Sequence, residues 1–155
     1  MNTPARRVLI MVIGLLAIAG CSGERPDNPQ DRERSIAPCS ILPNCVSSRD
    51  QDVLHRIAPL AFSGDPDAAF ARLKRVLSQR ADTTIREDLP GYLRVELHTT
   101  LFVDDGEFLL DRPHKVIQVR SASRLGISDL GKNRRRLEEI RRQFLALEGK
   151  ESLRE

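Results

Sequence analysis

Four short segments with strand-like composition follow one another between residues 83 and 121, separated by connections of only a few residues. The clearest of them, residues 92–102, alternates apolar and polar side chains, which is typical of a strand with one buried face. Consecutive strands joined by such short turns must pair antiparallel, because a parallel pair needs a crossover of a dozen residues or more. This part of the chain is therefore predicted to form an antiparallel sheet.

The limits of the strands follow from residues that favour turns. The predicted strands are residues 83–87, 92–102, 107–111 and 115–121. The intervening turns are predicted at Pro90-Gly91, Asp104-Asp105-Gly106 and Arg112-Pro113. Asp104, Asp105 and Glu107 could also act as paired acids or bind calcium, but no EF-hand pattern surrounds them, and a tight hairpin turn is the preferred interpretation.

Two amphipathic segments flank these strands. Asp65-Pro66-Asp67 is a helix start with a capping carboxylate and a proline in the first turn, and the apolar stripe that follows continues to about Gln79. The second helix has Leu137, Ile140, Phe144 and Leu147 on one side and is predicted to stop at Gly149. The order helix, four strands, helix predicts an α+β fold, an antiparallel four-stranded sheet covered by two main helices.

The N-terminus has the parts of a secretory signal: Arg6 and Arg7, then twelve largely apolar residues at positions 8–19. Twelve residues are too few to cross a bilayer, which needs about 20. Ile18-Ala19-Gly20-Cys21 resembles a bacterial lipobox, so Cys21 is the predicted lipidation site, and an ordinary signal peptide or short anchor helix is the alternative. Ser22 in place of Asp after the cysteine favours the outer membrane, with the protein facing the periplasm.

Composition then divides the chain into a signal peptide (1–20), a polar flexible tether (21–38), a single α+β domain (39–149) and a C-terminal tail (150–155). Removal of the signal peptide leaves 23 basic and 22 acidic side chains, so the basic character of the whole chain does not indicate a polyanionic partner. Nucleic acid is not expected, because few aromatic side chains are available to stack on bases. The expected partner is the membrane, through the lipid anchor, with an anionic lipid or another envelope component as a further candidate.

The two remaining cysteines, Cys39 and Cys45, lie in a segment rich in Pro, Asn and Ser that cannot continue as a helix. In an oxidising compartment, two thiols that close so short a loop are expected to form a disulfide at the entry to the domain. A reactive thiol and a metal site are the alternatives. A zinc site would need two further ligands, and His55, His98 and His114 show no metal-binding spacing, so no metal or cofactor is expected.

One segment, residues 120–136, stands out between the last predicted strand and the last helix because it combines hydroxyls, guanidinium groups, two glycines, Asp129 and Asn133. A turn of this composition can present backbone N–H groups and arginine forks to one anionic group. The predicted binding residues are Arg120, Ser121, Ser123, Arg124, Asp129 and Asn133. The structural alternative is that Arg120 pairs with Glu96 or Asp129 while the serines and Asn133 cap the helix.

Several blocks of the chain resemble one known family. They are residues 43–48, Asp104-Asp105, Glu107-Phe108, residues 120–124, residues 128–131 and Asn133-Arg134. Together they resemble the domain-of-unknown-function family numbered 1499 (DUF1499) over nearly the whole predicted domain, and Cys39 stands where that pattern usually has a cysteine. The resemblance implies a small, often lipid-anchored or membrane-attached bacterial protein. It transfers no mechanism, because the activity of the family is not established, but it adds Cys45 and Asp105 to the residues to test.

Two functional hypotheses follow. The first is a non-enzymatic envelope module that binds an anionic ligand, lipid or partner through the Arg120–Asn133 segment, and it is preferred because no nucleophile–base pair can be named. The second is an envelope hydrolase or transferase with Asp105 or Asp129 as base and with Arg120 and Arg124 stabilising an anion. Carboxylate and guanidinium groups that converge on open space would favour the enzyme, whereas a sealed salt-bridge network would favour neither.

Overall fold

The computed structural model describes residues 35–153. The predicted signal peptide and the predicted lipidation site Cys21 lie outside the described residues, as does nearly all of the predicted tether. Within residues 35–153 neither helix has an apolar stretch long enough to cross a membrane.

The described chain contains six strands and two helices. In order they are β1 (Cys45–Ser47), β2 (Leu60–Ala61), α1 (Pro66–Ser78), β3 (Thr83–Leu89), β4 (Tyr92–His98), β5 (Val103–Asp111), β6 (Val116–Ser123) and α2 (Lys132–Ser152). The sheet order is β1-β6-β5-β4-β3, and the strands pair antiparallel throughout. The α+β class with an antiparallel sheet and two helices is therefore confirmed.

The predicted number of four strands is too low. The four expected strands are β3 to β6, and two further strands, β1 and β2, also pair antiparallel with β6. Because β5 occupies one edge of β6 along its whole length, β1 and β2 share the other edge. Strands of three and two residues are too short to show an alternating pattern, so only pairing with β6 reveals them.

The start of α1 follows its capping residues. Asp65 adopts an extended backbone, and its side chain accepts a hydrogen bond of 2.7 Å from the backbone N–H of Ala68, while Pro66 occupies the first turn. The helix ends at Ser78 with Gln79 as its C-cap. These limits confirm the predicted helix.

The core lies between the helices and one face of the sheet. Alternate residues of β4, Leu93, Val95 and Leu97, are completely buried there, together with Phe108 and Val119 from the neighbouring strands. The helices contribute Leu73 and Leu77 from α1 and Leu137, Ile140 and Phe144 from α2. The other face of the sheet carries the alternating polar residues.

The hairpin turn predicted at Asp104-Asp105-Gly106 is wrong. These residues lie inside β5, and the turn between β4 and β5 is formed by residues 99–102. A Cβ atom on Gly106 would lie 2.7 Å from Cγ2 of Val95, so the glycine allows close packing of β5 on the core. Gly106 is therefore needed because it has no side chain, and not because it adopts a turn conformation.

The helix stop predicted at Gly149 is also wrong, because α2 continues through it to Ser152. The last turn carries Glu148 and Glu151, and both carboxylates accept hydrogen bonds from Arg72 of α1, at 3.2 and 2.7 Å. The guanidinium of Arg72 also lies 5.2 Å from the ring centre of Phe144. These contacts between helices stabilise a turn that the local sequence disfavours.

Candidate functional site

The predicted binding residues lie toward one end of the sheet but on both of its faces, with Arg120 and Arg124 on the polar face and Ser121, Ser123 and Asn133 on the helix-covered side. We call this end the loop end and define it as residues 40–44, 99–102 and 124–131. Strand register brings these loops together, since His98 pairs with Val103, Asp104 with Ser123, and Cys45 with Ala122. Helix α2 begins at the same end, directly after the loop that leaves β6. The antiparallel topology therefore places the predicted segment at one end of the sheet, and the alternation of β6 divides its side chains between the two faces.

Asn133 is completely buried and connects three elements at the loop end. Its side-chain oxygen accepts a hydrogen bond of 2.6 Å from Ser121 Oγ, and its amide donates to Asn44 O at 3.0 Å and to Ser123 Oγ at 3.1 Å. The polar atoms of Asn133, Ser121 and Ser123 thus bind one another and the segment before β1. They hold β6, α2 and β1 in register.

Asp129 caps α2 although it stands three residues before the first helical residue. Its two carboxylate oxygens accept hydrogen bonds from the backbone N–H groups of Gly131 and Asn133, at 2.9 and 2.7 Å. The left-handed backbone of Gly131, with φ of 74°, brings the loop into the helix. Asp129 supplies the anionic charge that a helix N-terminus favours.

Arg124 is bound on the polar face of the sheet by two acidic residues. Its Nε and one terminal nitrogen donate to the two oxygens of Asp105 at 3.0 and 2.9 Å, and the same terminal nitrogen donates to Glu96 at 2.7 Å. The hydrogen bond to Asp105 raises the pKa of Arg124 further above its usual value. Burial raises the pKa of Glu96, but Arg86 and Arg124 outweigh burial and lower it.

Arg120 pairs with Glu107 on the next strand at 3.0 Å, and not with Glu96 or Asp129 as the structural alternative expected. Its Nε is buried and has no hydrogen-bond acceptor in the described part of the chain. The two guanidinium groups among the predicted binding residues, those of Arg120 and Arg124, are thus neutralised by carboxylates of the same sheet. The arrangement is a sealed network of ion pairs.

Asp104 and Asp105 project from opposite faces of β5, so they do not form a pair of acids. Asp104 lies on the helix-covered face, where Arg136 of α2 donates to it at 2.7 Å, and the two side chains are only 3% and 5% exposed. Sequence reasoning missed this buried ion pair. The signal was the alternation in β5, where Asp104 falls on the same face as Gly106 and Phe108.

A basic groove also lies beside the first turns of α2. It has a volume of about 570 Å³ and is lined by five cationic side chains, those of Arg80, Lys132, Arg135, Arg136 and Arg142. The acidic side chains that line it are only Asp82 and Glu139. None of the six predicted binding residues is among the described residues that line this groove.

The cations of the groove differ in what they already bind. Arg80 donates to both oxygens of Asp82. Burial raises the pKa of Asp82, but the hydrogen bonds and charge of Arg80 outweigh burial, so the pKa of Asp82 is lowered overall. Arg142 pairs with Glu139. Lys132 and Arg135 are exposed, and within residues 35–153 neither forms an ion pair with a carboxylate; Arg135 donates to the backbone oxygen of Leu130 at 2.8 Å.

The disulfide predicted between Cys39 and Cys45 is present, with the two Cα atoms 5.7 Å apart. It connects the segment before β1 to the first residue of that strand. Cys45 is therefore a structural residue in this arrangement, and its Sγ is not free to act as a nucleophile.

His55 connects the turn at residues 52–55 to the loop end. Its Nδ1 lies 2.9 Å from an oxygen of Asp52, and its Nε2 lies 3.1 Å from the backbone oxygen of Leu42. Only the protonated ring can donate to both acceptors at once. The hydrogen bond to Asp52 accordingly raises the pKa of His55 above 6.5.

We expect stability to depend on pH through His55. Because the folded-state pKa is raised, the stabilisation is fully present below the unfolded value of 6.5 and is lost as the pH rises through the folded-state value. The melting temperature of the native protein should therefore fall as the pH rises from about 6 to about 8, and His55→Asn should remove most of this fall. The control is His114→Asn, since the His114 side chain is 77% exposed. An unchanged pH profile in His55→Asn would contradict the assignment.

A family model described as a protein of unknown function, DUF1499, matches residues 35–144. No curated protein and no solved structure matches the chain. The matched range contains every strand, the disulfide, the Asn133 cluster and both ion pairs formed by Asp104 and Asp105.

Proposed function

The chain belongs to the DUF1499 family, and from this premise we propose that it is an exported, lipid-anchored envelope protein that binds an anionic ligand in the basic groove without transforming it. The N-terminal features support export and anchorage: Arg6-Arg7, the apolar run at residues 8–19, and Cys21 at the end of a lipobox-like sequence. The disulfide between Cys39 and Cys45 suits an oxidising compartment. Ser22 after the cysteine favours the outer membrane, with the domain facing the periplasm.

The groove carries the proposal because it holds cations with unused charge. Lys132 and Arg135 lie on its wall and are open to solvent, with no carboxylate partner in residues 35–153. Arg80 and Arg136 already bind Asp82 and Asp104, so they contribute positive potential more than free donors. An arginine fork and a lysine ammonium together suit a phosphate or carboxylate group.

The six residues predicted to bind, from Arg120 to Asn133, support the groove in this proposal and do not contact the ligand. Arg120 and Arg124 already bind carboxylates, and the Asn133 cluster fixes the first turn of α2, from which Lys132 and Arg135 project. The candidate bases Asp105 and Asp129 favour binding over catalysis, because their carboxylate oxygens already accept hydrogen bonds within the protein. Both oxygens of Asp105 accept hydrogen bonds from Arg124, and both oxygens of Asp129 accept them from backbone N–H groups.

The groove can be tested with inorganic phosphate and with dihexanoyl phosphatidylglycerol below its micelle concentration, which separate free phosphate from a lipid headgroup as the source. The probe that binds the groove should stabilise the native protein by about 1.4 kcal/mol at ten times its dissociation constant, read as a rise in melting temperature. The source is identified by which of the two probes produces this rise. Lys132→Gln combined with Arg135→Gln should abolish this rise. Because both side chains are exposed, the melting temperature without probe should stay within the effect of ordinary surface changes.

The matched control is Arg49→Gln combined with Lys150→Gln, which removes the same charge from two exposed residues outside the groove. This control should retain the response to the probe, and added salt should weaken the response of the native protein. Equal losses in the control and in the groove variant would indicate a nonspecific charge effect. Such a result, or the absence of any response in the native protein, would reject the groove as the binding site.

A further inference from the structure

Exposed apolar side chains are concentrated at the loop end. Of the twelve large hydrophobic residues that are exposed in the described chain, nine lie in its loops or in the adjoining turn at residues 52–55. Six of them are at least 70% exposed, and we call these the apolar tips: Ile41, Val53, Leu54, Leu101, Ile127 and Leu130. Soluble proteins rarely expose so many large apolar side chains in one region unless that region binds a partner or a membrane.

Three of the four segments that carry the apolar tips, residues 40–44, 52–55 and 124–131, are fixed to one another by hydrogen bonds. Asn44 Nδ2 donates to Gly126 O at 2.8 Å, and the backbone N–H of Asp129 donates to Pro43 O at 3.4 Å. Arg134 donates to the backbone oxygen of Leu54 at 2.9 Å, which attaches the turn at residues 52–55 to the start of α2. Five of the six tips thus lie on connected segments, and Leu101 lies on the loop 99–102, which lines the basic groove together with Lys132 and Arg135.

Leu130 shows that at least one tip is held outward against local preference. Its backbone is left-handed, with φ of 52°, a region that a leucine seldom adopts, and its side chain is 83% exposed. The adjacent Asp129 fixes this geometry through its hydrogen bonds to Gly131 and Asn133. The cap of α2 therefore keeps an apolar side chain in solvent.

Cationic residues follow the apolar tips directly. Lys132, Arg134 and Arg135 occupy the first turn of α2, and none of the three forms an ion pair with a carboxylate within residues 35–153. Apolar side chains beside such cations match the boundary between anionic headgroups and acyl chains of a bilayer. An apolar protein partner would make no use of these cations. In a symmetric contact between two copies through the loop end, the cations of the two copies would face and repel one another.

The chain that leads to the predicted anchor enters the domain a few residues before Cys39, since Ile36 is already buried. The disulfide fixes Cys39 to the start of β1, beside the loop end. Only eighteen residues separate Cys39 from Cys21, so the two can lie no farther apart than about 60 Å. An acylated Cys21 would keep the apolar tips at high effective concentration near the bilayer, where even a weak contact becomes populated.

We propose that the loop end docks onto the leaflet of an anionic phospholipid bilayer, with the apolar tips at acyl-chain depth and the first turn of α2 at the headgroups. This rests on the membrane anchorage proposed above, but it does not require a ligand in the basic groove. The occupant is the bilayer itself, and the domain would be held against the membrane with a fixed face toward it.

The chain has no tryptophan, so one introduced residue reports on its own position. The full-length protein, with acylation of Cys21 checked from the mass of its N-terminal peptide, is reconstituted into vesicles of phosphatidylethanolamine and phosphatidylglycerol with brominated acyl chains. In these vesicles Ile127→Trp and, separately, Leu101→Trp should lose roughly half or more of the emission seen with unbrominated lipids. Leu153→Trp is the control, because Leu153 is 88% exposed at the opposite end of α2 and should be unaffected.

The outcomes separate the docking from the anchorage. A protein that fails to float with the vesicles would overturn both, because neither anchor nor apolar tips would hold it. Flotation with equal emission from the loop-end and control variants would overturn the docking alone. Emission from Ile127→Trp that shifts to the blue with rising protein density but is not quenched would identify a second copy as the occupant, and would also overturn the proposal.

Discussion

Replacing Asp104 by asparagine is expected to lower the free energy of unfolding by about 3 kcal/mol, because the buried guanidinium of Arg136 loses its direct partner and keeps only the longer ion pair with Asp82. The side chains of Asp104 and Arg136 are only 3% and 5% exposed, and the nearest other carboxylate, that of Asp82, lies 3.6 Å from Arg136 Nε. Asparagine has nearly the same shape, so the loss would report charge and not volume. Urea denaturation with an unchanged m value is the appropriate measurement.

Asp105→Asn is the matched control for this experiment. It makes the same chemical change one residue later on the opposite face of β5, where Arg124 keeps Glu96 as a partner at 2.7 Å. We expect a smaller loss, of about 1–2 kcal/mol. Equal losses from the two variants would show that the face of the strand does not matter. Simultaneous replacement of Asp104 by leucine and Arg136 by methionine should recover most of the stability, since it removes both buried charges.

Replacing Asn133 by leucine is expected to cost about 2–4 kcal/mol, although leucine is apolar and similar in size. The variant removes the acceptor of Ser121 Oγ inside a completely buried site and removes the donors to Asn44 O and Ser123 Oγ. A buried hydroxyl without a partner costs more than the net value of the hydrogen bond. The backbone oxygen of Asn44 keeps one donor, the N–H of Ser123 at 2.9 Å, which limits the loss.

Ser121→Ala removes the donor to the buried Asn133 Oδ1 and leaves the two hydrogen bonds of the Asn133 amide, so we expect a loss of about 1–3 kcal/mol. The double variant should cost less than the sum of the two single losses, because both delete the same hydrogen bond. Strict additivity would show that the Asn133 cluster is not a coupled unit. Asn133 would then be a tolerated buried polar residue and not the residue that holds β1, β6 and α2 together.

Several elements were predictable because a local signal and the tertiary structure agree. Asp65 and Pro66 define the start of α1, and the alternation of Leu93, Val95 and Leu97 identifies the buried face of β4. The close spacing of Cys39 and Cys45 made the disulfide predictable. In each case residues close in sequence supply the physical cause: a helix cap for α1, alternating burial for β4, and a short loop for the disulfide.

Other features were not predictable because distant residues decide them. Local preference favours a turn at Asp104-Asp105-Gly106, but pairing with β4 and β6 makes this a strand. The strand can bury Asp104 because Arg136, 32 residues later, neutralises it. Likewise Gly149 remains helical because Arg72, from a different helix, binds the carboxylates on either side of it.

The candidate site shows the same division. Residue types and spacing singled out the Arg120–Asn133 segment, and strand register places it at one end of the sheet with its side chains divided between the two faces. The segment could not show that Arg124 would meet Asp105 and Glu96, or that Arg120 would meet Glu107, since those carboxylates come from other strands. The basic groove could not be predicted for the same reason. Its wall combines the start of α2 with residues before β3 and after β4.

The α1 cap, the buried face of β4, the fold class and the disulfide thus follow from short-range chemistry, in which a few adjacent residues set backbone preference and burial. Which charges are neutralised, which remain open to a ligand, and which apolar side chains gather at the loop end are determined only when separate strands and helices pack. The reason is physical: a charge or an exposed side chain has no fixed role until its neighbours in space are known, and those neighbours lie up to 89 residues apart along the chain.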